Sequence, residues 1–270
     1  MAYGLARFYT GLLDLAVPRL RRVAMRNLTL ALPEKTHTEH RQIAEDVFRS
    51  IARLLVAFAK LPHIHRGNVS RWIRTEGYEH VEAALARGHG VLFATAHLGN
   101  WELSAFAYGL LSSPMHVLVR PLDNPLLDRL VERRRALSGN YIIEKRNSAR
   151  SILSALAANE VVGILIDQNS TPEEGAFVDF FGTPACAGTG FAKIAAHSGA
   201  TVVPGYALWS GRERRSVLRF YPPVEITGSA EEDTARLQKR LEAVVREYPG
   251  QWLWIHRRWK TRPPGQPPLY

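Results

Sequence analysis

The sequence predicts an α/β protein in which a mostly parallel central sheet is flanked by helices and led into by amphipathic N-terminal helices. Three observations support this. From about residue 74 short apolar runs alternate with helical patterns, as in strand–helix–strand units. Before residue 60 the apolar residues instead recur at three- and four-residue spacing. The 270 residues are 46% hydrophobic and 22% charged, a balance that excludes wholesale disorder, at a length that can bury a sizeable core.

In the first helix, Leu5, Phe8, Tyr9, Leu12, Leu13 and Ala16 share one side and Arg7, Thr10 and Asp14 the other. Arg19, Arg21, Arg22 and Arg26 follow. An apolar stripe beside a basic cluster suits an interfacial helix on anionic lipid, and equally a helix packed on its own domain with a solvated flank. A second amphipathic helix is expected over 37–60, with Val47, Phe48, Ile51, Leu54, Leu55 and Phe58 on one face. Residues 1–73 thus read as a helical, membrane-associating segment and 74–270 as the α/β core, in one structural unit. Strands are expected at 90–96, 116–120, 161–167, 201–209 and 216–222, and helices near 100–112, 123–137, 148–159, 188–198 and 231–247. Pro204 predicts an edge or a bulge in its strand.

Lys+Arg 35 against Asp+Glu 25 gives a net charge of +10, which favours anionic partners without choosing among nucleic acid, lipid headgroups and phosphorylated substrates. A lone cysteine, Cys186, excludes an intrachain disulfide and a multi-thiolate zinc site, and fits a reducing compartment. The first twenty residues lack the pattern of a signal peptide, and Arg7 and Asp14 interrupt them too often for a membrane span.

The sharpest motif is ATAHLGNWELSAFA, where an apolar run ends at His97 and a helix begins near Asn100. Active sites of α/β sheets collect at the carboxyl ends of strands. On a continuous helix His97 and Glu102 would stand about 140° apart, so they meet only if the chain turns at Gly99 and Asn100, the latter a fitting N-cap. If they meet, the carboxylate fixes the imidazole tautomer and the other ring nitrogen can deprotonate a substrate hydroxyl. Otherwise His97 is a core histidine and Glu102 a first-turn acid favoured by the helix dipole.

HLGNWE, VLVRPLDNP, GILIDQN, FFGTPACAGTGFAKIA, TVVPGYA and QWLWIHRRWKTRP follow in that order, and together they resemble the lipid A biosynthesis lauroyl acyltransferase family, within the lysophospholipid and glycerophosphate acyltransferase superfamily. The likeness runs from about Arg21 to Pro263. It implies transfer of an acyl chain from acyl carrier protein, or acyl-CoA, to a hydroxyl of a lipid A precursor or related glycolipid, with no cofactor beyond that thioester. A lysophospholipid or phosphatidylinositol mannoside acceptor is the alternative. The resemblance gives His97 as general base, Glu102 as its orienting carboxylate and Arg120 as a phosphate or charge clamp, a role that suits a guanidinium fork. It places Asp167 and Gln168 at the site too. The Gly182 to Gly190 stretch offers backbone N–H groups to phosphate or oxyanion, or is a turn without ligand duty. The implied place is the cytoplasmic face of the bacterial inner membrane, with acyl carrier protein, an anionic lipid acceptor and the membrane surface as partners. Many relatives begin with an apolar spanning helix; this chain's first segment is short and broken by charge, so peripheral attachment is expected.

Near the C-terminus Trp252 and Trp254, two apart, are expected on one face of a strand and in the core, with the arginines around them free for lipid or carrier contact. The absence of Gly-x-Ser-x-Gly, Walker and Gly-x-Gly-x-x-Gly motifs argues against a serine hydrolase and nucleotide cofactors. His63, His65, His89, His197 and His256 have no metal-ligand spacing, and no metal is expected. Cys186 is read as a small buried hydrophobe, so direct attack without an acyl-enzyme follows. The rival of another class is a non-enzymatic basic module for membrane or nucleic acid; it accounts for the charge but not for the ordered blocks.

Overall fold

A computed structural model describes residues 2–144 and 148–270. Three helices lead the chain: α1 (Ala2–Ala16), α2 (Pro18–Ala31) and α3 (His37–Lys60). Pro18 at its first turn starts α2, and a reciprocal capping box between Thr36 and Glu39 starts α3. There follow β1 (Ile73–Glu76), α4 (Glu79–Leu85), β2 (Val91–Thr95), α5 (Trp101–Leu111), β3 (His116–Val119), α6 (Pro125–Ala136), β4 (Tyr141–Glu144), α7 (Ala149–Ala157) and β5 (Val161–Leu165). The chain ends with β6 (Gly175–Phe180), β7 (Thr183–Gly188), α8 (Gly190–Ser198), β8 (Thr201–Ser210), β9 (Arg215–Phe220) and α9 (Ala230–Glu247).

Seven strands form one sheet in the order β1-β9-β8-β2-β5-β3-β4, and only the β8–β9 pair is antiparallel. The expected α/β class, its mostly parallel sheet and its leading helices are all present. The five expected strands and five expected core helices occur within two residues of their expected ends. α2, α4, β1, β4, β6 and β7 lie outside the expected elements. β1 (IRTE) and β4 (YIIE) have four residues each, too few for a period to emerge. β6 and β7 form a separate antiparallel hairpin whose two-residue turn, Phe181-Gly182, holds both residues at positive φ, the geometry that matches strand twist.

Pro204 corrects an expectation. β8 lies inside the sheet, between β9 and β2. Pro204 is tolerated there because it ends the ladder with β2 just before the ladder with β9 begins at Gly205, while its carbonyl accepts from Tyr221 N–H at 2.9 Å. Trp252 and Trp254 correct another: both are fully buried, as expected, but in an irregular segment after a turn of 3₁₀ helix at Pro249–Gln251. They pack edge-on to each other in a cluster with Leu98, Phe180 and Trp259, which Leu28, Ala44 and Val47 of α2 and α3 also join.

The outermost helix is inverted. In α1 the polar Thr10 is buried at 3% exposure, whereas Leu5, Phe8, Tyr9, Leu12 and Leu15 face outward, Leu15 at 78%; the Leu13 side chain lies outside the described set. α1 rests against α3; of its described side chains Thr10 is buried, Asp14 is half-buried and Arg7 stays exposed. α6 likewise buries none of its residues and exposes Leu126, Leu127 and Leu130. No described helix is long and apolar enough to cross a membrane.

The chain turns from β2 into α5 at Gly99, which has φ +66° and donates its N–H to Gln251 O at 2.9 Å. A Cβ there would overlap the Ala207 carbonyl oxygen. Gly99→Ala is therefore expected to lower stability by about 2 kcal/mol or more, read as a fall in the denaturant midpoint with unchanged slope.

Candidate active site

Residues beyond the carboxyl ends of two adjacent strands build the site. β2 and β5 run parallel with Thr95 opposite Leu165, and Ile166 N–H donates to Thr95 O at 2.9 Å. Two residues further along each strand, His97 faces Asp167. Their contact is doubled: His97 Nδ1 lies 2.9 Å from Asp167 Oδ1, and the backbone N–H of His97 donates to Oδ2 at 2.9 Å. The indole N–H of Trp252 also donates to Oδ2 at 2.9 Å. Asp167 is 2% exposed, so all its lone pairs must be satisfied inside the protein.

The protonation states follow from this burial. Burial alone would raise the Asp167 pKa, but the His97 charge and hydrogen bond, then the Trp252 indole and the His97 backbone N–H, hold it down at about 2. For His97 burial pulls the pKa down, and the charge and hydrogen bond of Asp167, with a share from Glu102, outweigh it, so the net shift is upward. An ionised carboxylate can only accept, so Nδ1 carries the proton of the neutral imidazole. Nε2 is left with the lone pair, on a side chain that lines the large cavity. Trp101 packs edge-on to the ring at 5.0 Å between centroids.

Glu102 does not orient His97. The chain does turn at Gly99, and Asn100 does cap α5, accepting from Leu103 N–H at 3.1 Å. But the Glu102 carboxylate turns to Arg135 near the end of α6, which grips it with two bonds of 2.9 and 2.6 Å. The carboxylate on the ring is thus Asp167, seventy residues away, and Glu102 acts on His97 only through its field. Arg135, Glu102 and His97 line the same cavity.

That cavity has a volume of about 900 Å³. Part of its wall is buried and apolar, made by Phe93, Phe106, Tyr108, Met115 and Phe220. Arg120, Asp123, Lys193 and Gln168 are exposed in its lining. Arg120 is largely solvated and only loosely paired with Asp123 at 3.5 Å. Of the glycine-rich stretch, Gly188 at the end of β7 and Gly190 at the start of α8 line the cavity, while Gly182 sits at the hairpin turn and is not among its lining residues. Asp167 and Asn100 lie behind the lining as supports. Among the described residues no group of three His, Cys, Asp or Glu side chains is placed to hold a metal. Cys186 is buried, with Sγ 3.3 Å from Thr171 O, and burial pushes its thiol pKa up.

The sequence did not single out Arg135 or assign Trp252 to the site. Arg135 sits in the run RRRA, which reads as a solvated helix face, and Trp252 reads as core. His256 is half-buried and neutral, its pKa pushed down to about 4 chiefly by desolvation, with Nε2 accepting from Asn169 N–H at 3.1 Å.

Residues 6–261 match the family described as bacterial lipid A biosynthesis acyltransferase. The lipid A biosynthesis lauroyltransferase of Escherichia coli K12 is 30% identical over 255 residues, covering 93% of this chain and 83% of that protein. The palmitoleoyltransferase of the same organism is 30% identical over 270 residues, covering 95% and 85%. Its myristoyltransferase is 24% identical over 248 residues, covering 91% and 77%.

The Asp167 carboxylate, depressed from 3.8 to about 2, contributes stability that is present above pH 4 and lost as the pH falls toward 2. Asp167→Asn removes that dependence. Its unfolding free energy is expected to fall less steeply than the wild type's between pH 4 and 2, by roughly 2 kcal/mol across the window, in denaturant titrations at a series of pH values.

Proposed function

The chain belongs to the family of bacterial lipid A biosynthesis acyltransferases, and we propose that it moves a fatty acyl chain from an acyl carrier protein or CoA thioester to a hydroxyl of a lipid A precursor or related glycolipid. The observation that carries the mechanism is His97, held through Nδ1 by the ionised Asp167 and lining a cavity of about 900 Å³. That volume and the buried apolar wall suit a fatty acyl chain.

In this mechanism Nε2 of His97 takes the proton of the acceptor hydroxyl as its oxygen attacks the thioester carbonyl carbon. The imidazolium is stabilised by Asp167 and by the nearby charge of Glu102. The oxyanion collapses, the carbon–sulfur bond breaks, and the leaving thiolate receives the proton from the imidazolium. The Thr189 N–H is donated to Glu174 O at 3.0 Å, which leaves the first-turn N–H groups of α8, from Gly190 onward, for the oxyanion or a phosphate. Arg120 and Lys193 lie at the exposed rim, where a phosphorylated headgroup or the prosthetic group of a carrier would pass. The nucleophile belongs to the acceptor, and the thiol of Cys186 plays no part. No further cofactor is needed.

The outward leucines of α1 and α6 support a seat on a membrane surface, with residues 1–73 as the associating segment and the cytoplasmic face of the inner membrane as its place. Arg19, Arg22 and Arg129 suit anionic headgroups there. This reading needs no nucleic acid, and it accounts for the net charge through the acidic carrier and the phosphorylated acceptor.

His97→Ala is expected to lower transfer of a lauroyl group from acyl carrier protein to a lipid A precursor at least about a hundredfold, followed by mass spectrometry of the lipid; the variant also loses a hydrogen bond to the buried Asp167, so it is compared at a temperature where circular dichroism shows both proteins folded. Equal product from both proteins would overturn the assignment. A second expectation concerns the surface: Phe8→Ser, Leu12→Ser and Leu15→Ser combined should weaken co-sedimentation with vesicles of mixed neutral and anionic phospholipid by at least about a hundredfold, since each apolar side chain buried in lipid contributes about 1.5 kcal/mol, about tenfold apiece. Unchanged sedimentation would exclude α1 as the contact.

A further inference from the structure

One stretch of chain, residues 249–262, holds both loops that carry the reacting pair. On the β2 side, Gly99 N–H donates to Gln251 O at 2.9 Å, Leu253 N–H donates to His97 O at 3.0 Å, and Leu98 bridges to Trp252. On the β5 side, Asn169 N–H donates to His256 Nε2 and Thr261 Oγ1 donates to Ser170 O at 2.7 Å. The fully buried Arg258 donates to Gln238 Oε1 at 3.1 Å, and Gln238 Nε2 in turn donates to Ile166 O at 2.8 Å, next to Asp167. The segment is a strap across the ends of β2 and β5, and Trp252 is the residue in it whose side chain reaches the charged pair.

Two indoles allow a direct comparison. Trp252 and Trp254 are equally buried and pack edge-on at 4.6 Å. Trp254 gives its N–H to a backbone carbonyl, Pro249 O, at 2.7 Å, which is what core packing requires of a buried donor. Trp252 gives its N–H to the carboxylate of Asp167. Together with the His97 backbone N–H it occupies Oδ2 and leaves Oδ1 to the ring. Without those donors the two oxygens are chemically equivalent and the carboxylate is free to rotate.

We propose that Trp252 is a positioning residue for acyl transfer: its indole N–H fixes Oδ2 of Asp167, so that Oδ1 meets Nδ1 of His97 in one orientation and with a set basicity. This rests on the reading of His97 as the base. A hydrogen bond to the carboxylate disperses its charge; removing it concentrates that charge on the imidazolium and favours protonated His97. The other groups facing His97 are Glu102 from α5, Arg135 from α6 and His256 from the strap, and Asp167 also faces Arg258 and Tyr206. Trp252→Phe removes none of them.

The test uses the full chain with ¹⁵N-labelled histidine. The His97 ring resonance is identified by its loss in His97→Gln and titrated in wild type, Trp252→Phe and Trp254→Phe. In Trp252→Phe the His97 pKa is expected to move up by about half a unit. The acid limb of kcat/KM for lauroyl transfer should move with it, and kcat should fall roughly tenfold with KM little changed. Trp254→Phe, which loses a matched indole N–H from the same cluster, should lose stability and keep the wild-type titration. An unmoved or lowered His97 pKa in Trp252→Phe, or the same shift in Trp254→Phe, overturns the inference. Full activity in His97→Gln would remove the base reading itself, and the positioning role with it, whatever the titration shows. Inactive His97→Gln with an unshifted Trp252→Phe would overturn the inference alone.

Discussion

The buried carboxylate of Asp167 is the constraint on which the site is built. An ionised group at 2% exposure survives only if donors replace its water, and three converge on it, two from residue 97 and one from Trp252. Satisfying that one charge fixes the loop after β2, the loop after β5 and the strap behind both. Removal of the carboxylate would leave those donors without partners, so the stability of this corner and its chemistry cannot be separated.

How much was legible in the sequence follows from the range of each interaction. His97 was legible because an apolar run stops there and a capped helix starts, a signal contained in about ten residues. The strands on either side were legible for the same reason. The partner of His97 was not. Asp167 comes to it because β5 inserts beside β2 while β3 and β4 go to the edge, and no local period encodes that order. With adjacency unknown, Glu102 was the nearest acid in sequence, and its diversion to Arg135 depends on where α6 ends. β1 and β4 were illegible because four residues carry too little pattern. In the aromatic C-terminal run the spacing of Trp252 and Trp254 marks core, but Arg258, expected to be free for lipid or carrier contact, is fully buried and donates to Cys186 O and Gln238 Oε1, because the run is an irregular backbone that no period describes.

The ring and the backbone N–H of His97 bind the same carboxylate, and this closes a small loop through the side chain. Swinging the imidazole away would break the ring contact while the backbone contact held Asp167 in place to receive it again. The cost of aligning the ring is therefore met on folding and not at each turnover. The cavity side of the same histidine is bounded by Trp101 and the Glu102–Arg135 pair, so the free nitrogen is presented between an aromatic edge and a neutralised pair of charges.

The inverted packing of α1 has a consequence for the helix itself. Fifteen residues are near the lower limit at which a helix persists in water, and most helices of that length owe their order to an apolar face pressed on a core. Here Leu5, Phe8, Tyr9, Leu12 and Leu15 of that face point away from the core, and among the described side chains Thr10 is the one buried by the rest of the chain. The order of α1 is thus tied to whatever lies against its outer side, so that part of any docking free energy would be spent on winding the helix, and the tightness of attachment and the length of the wound segment would rise and fall together.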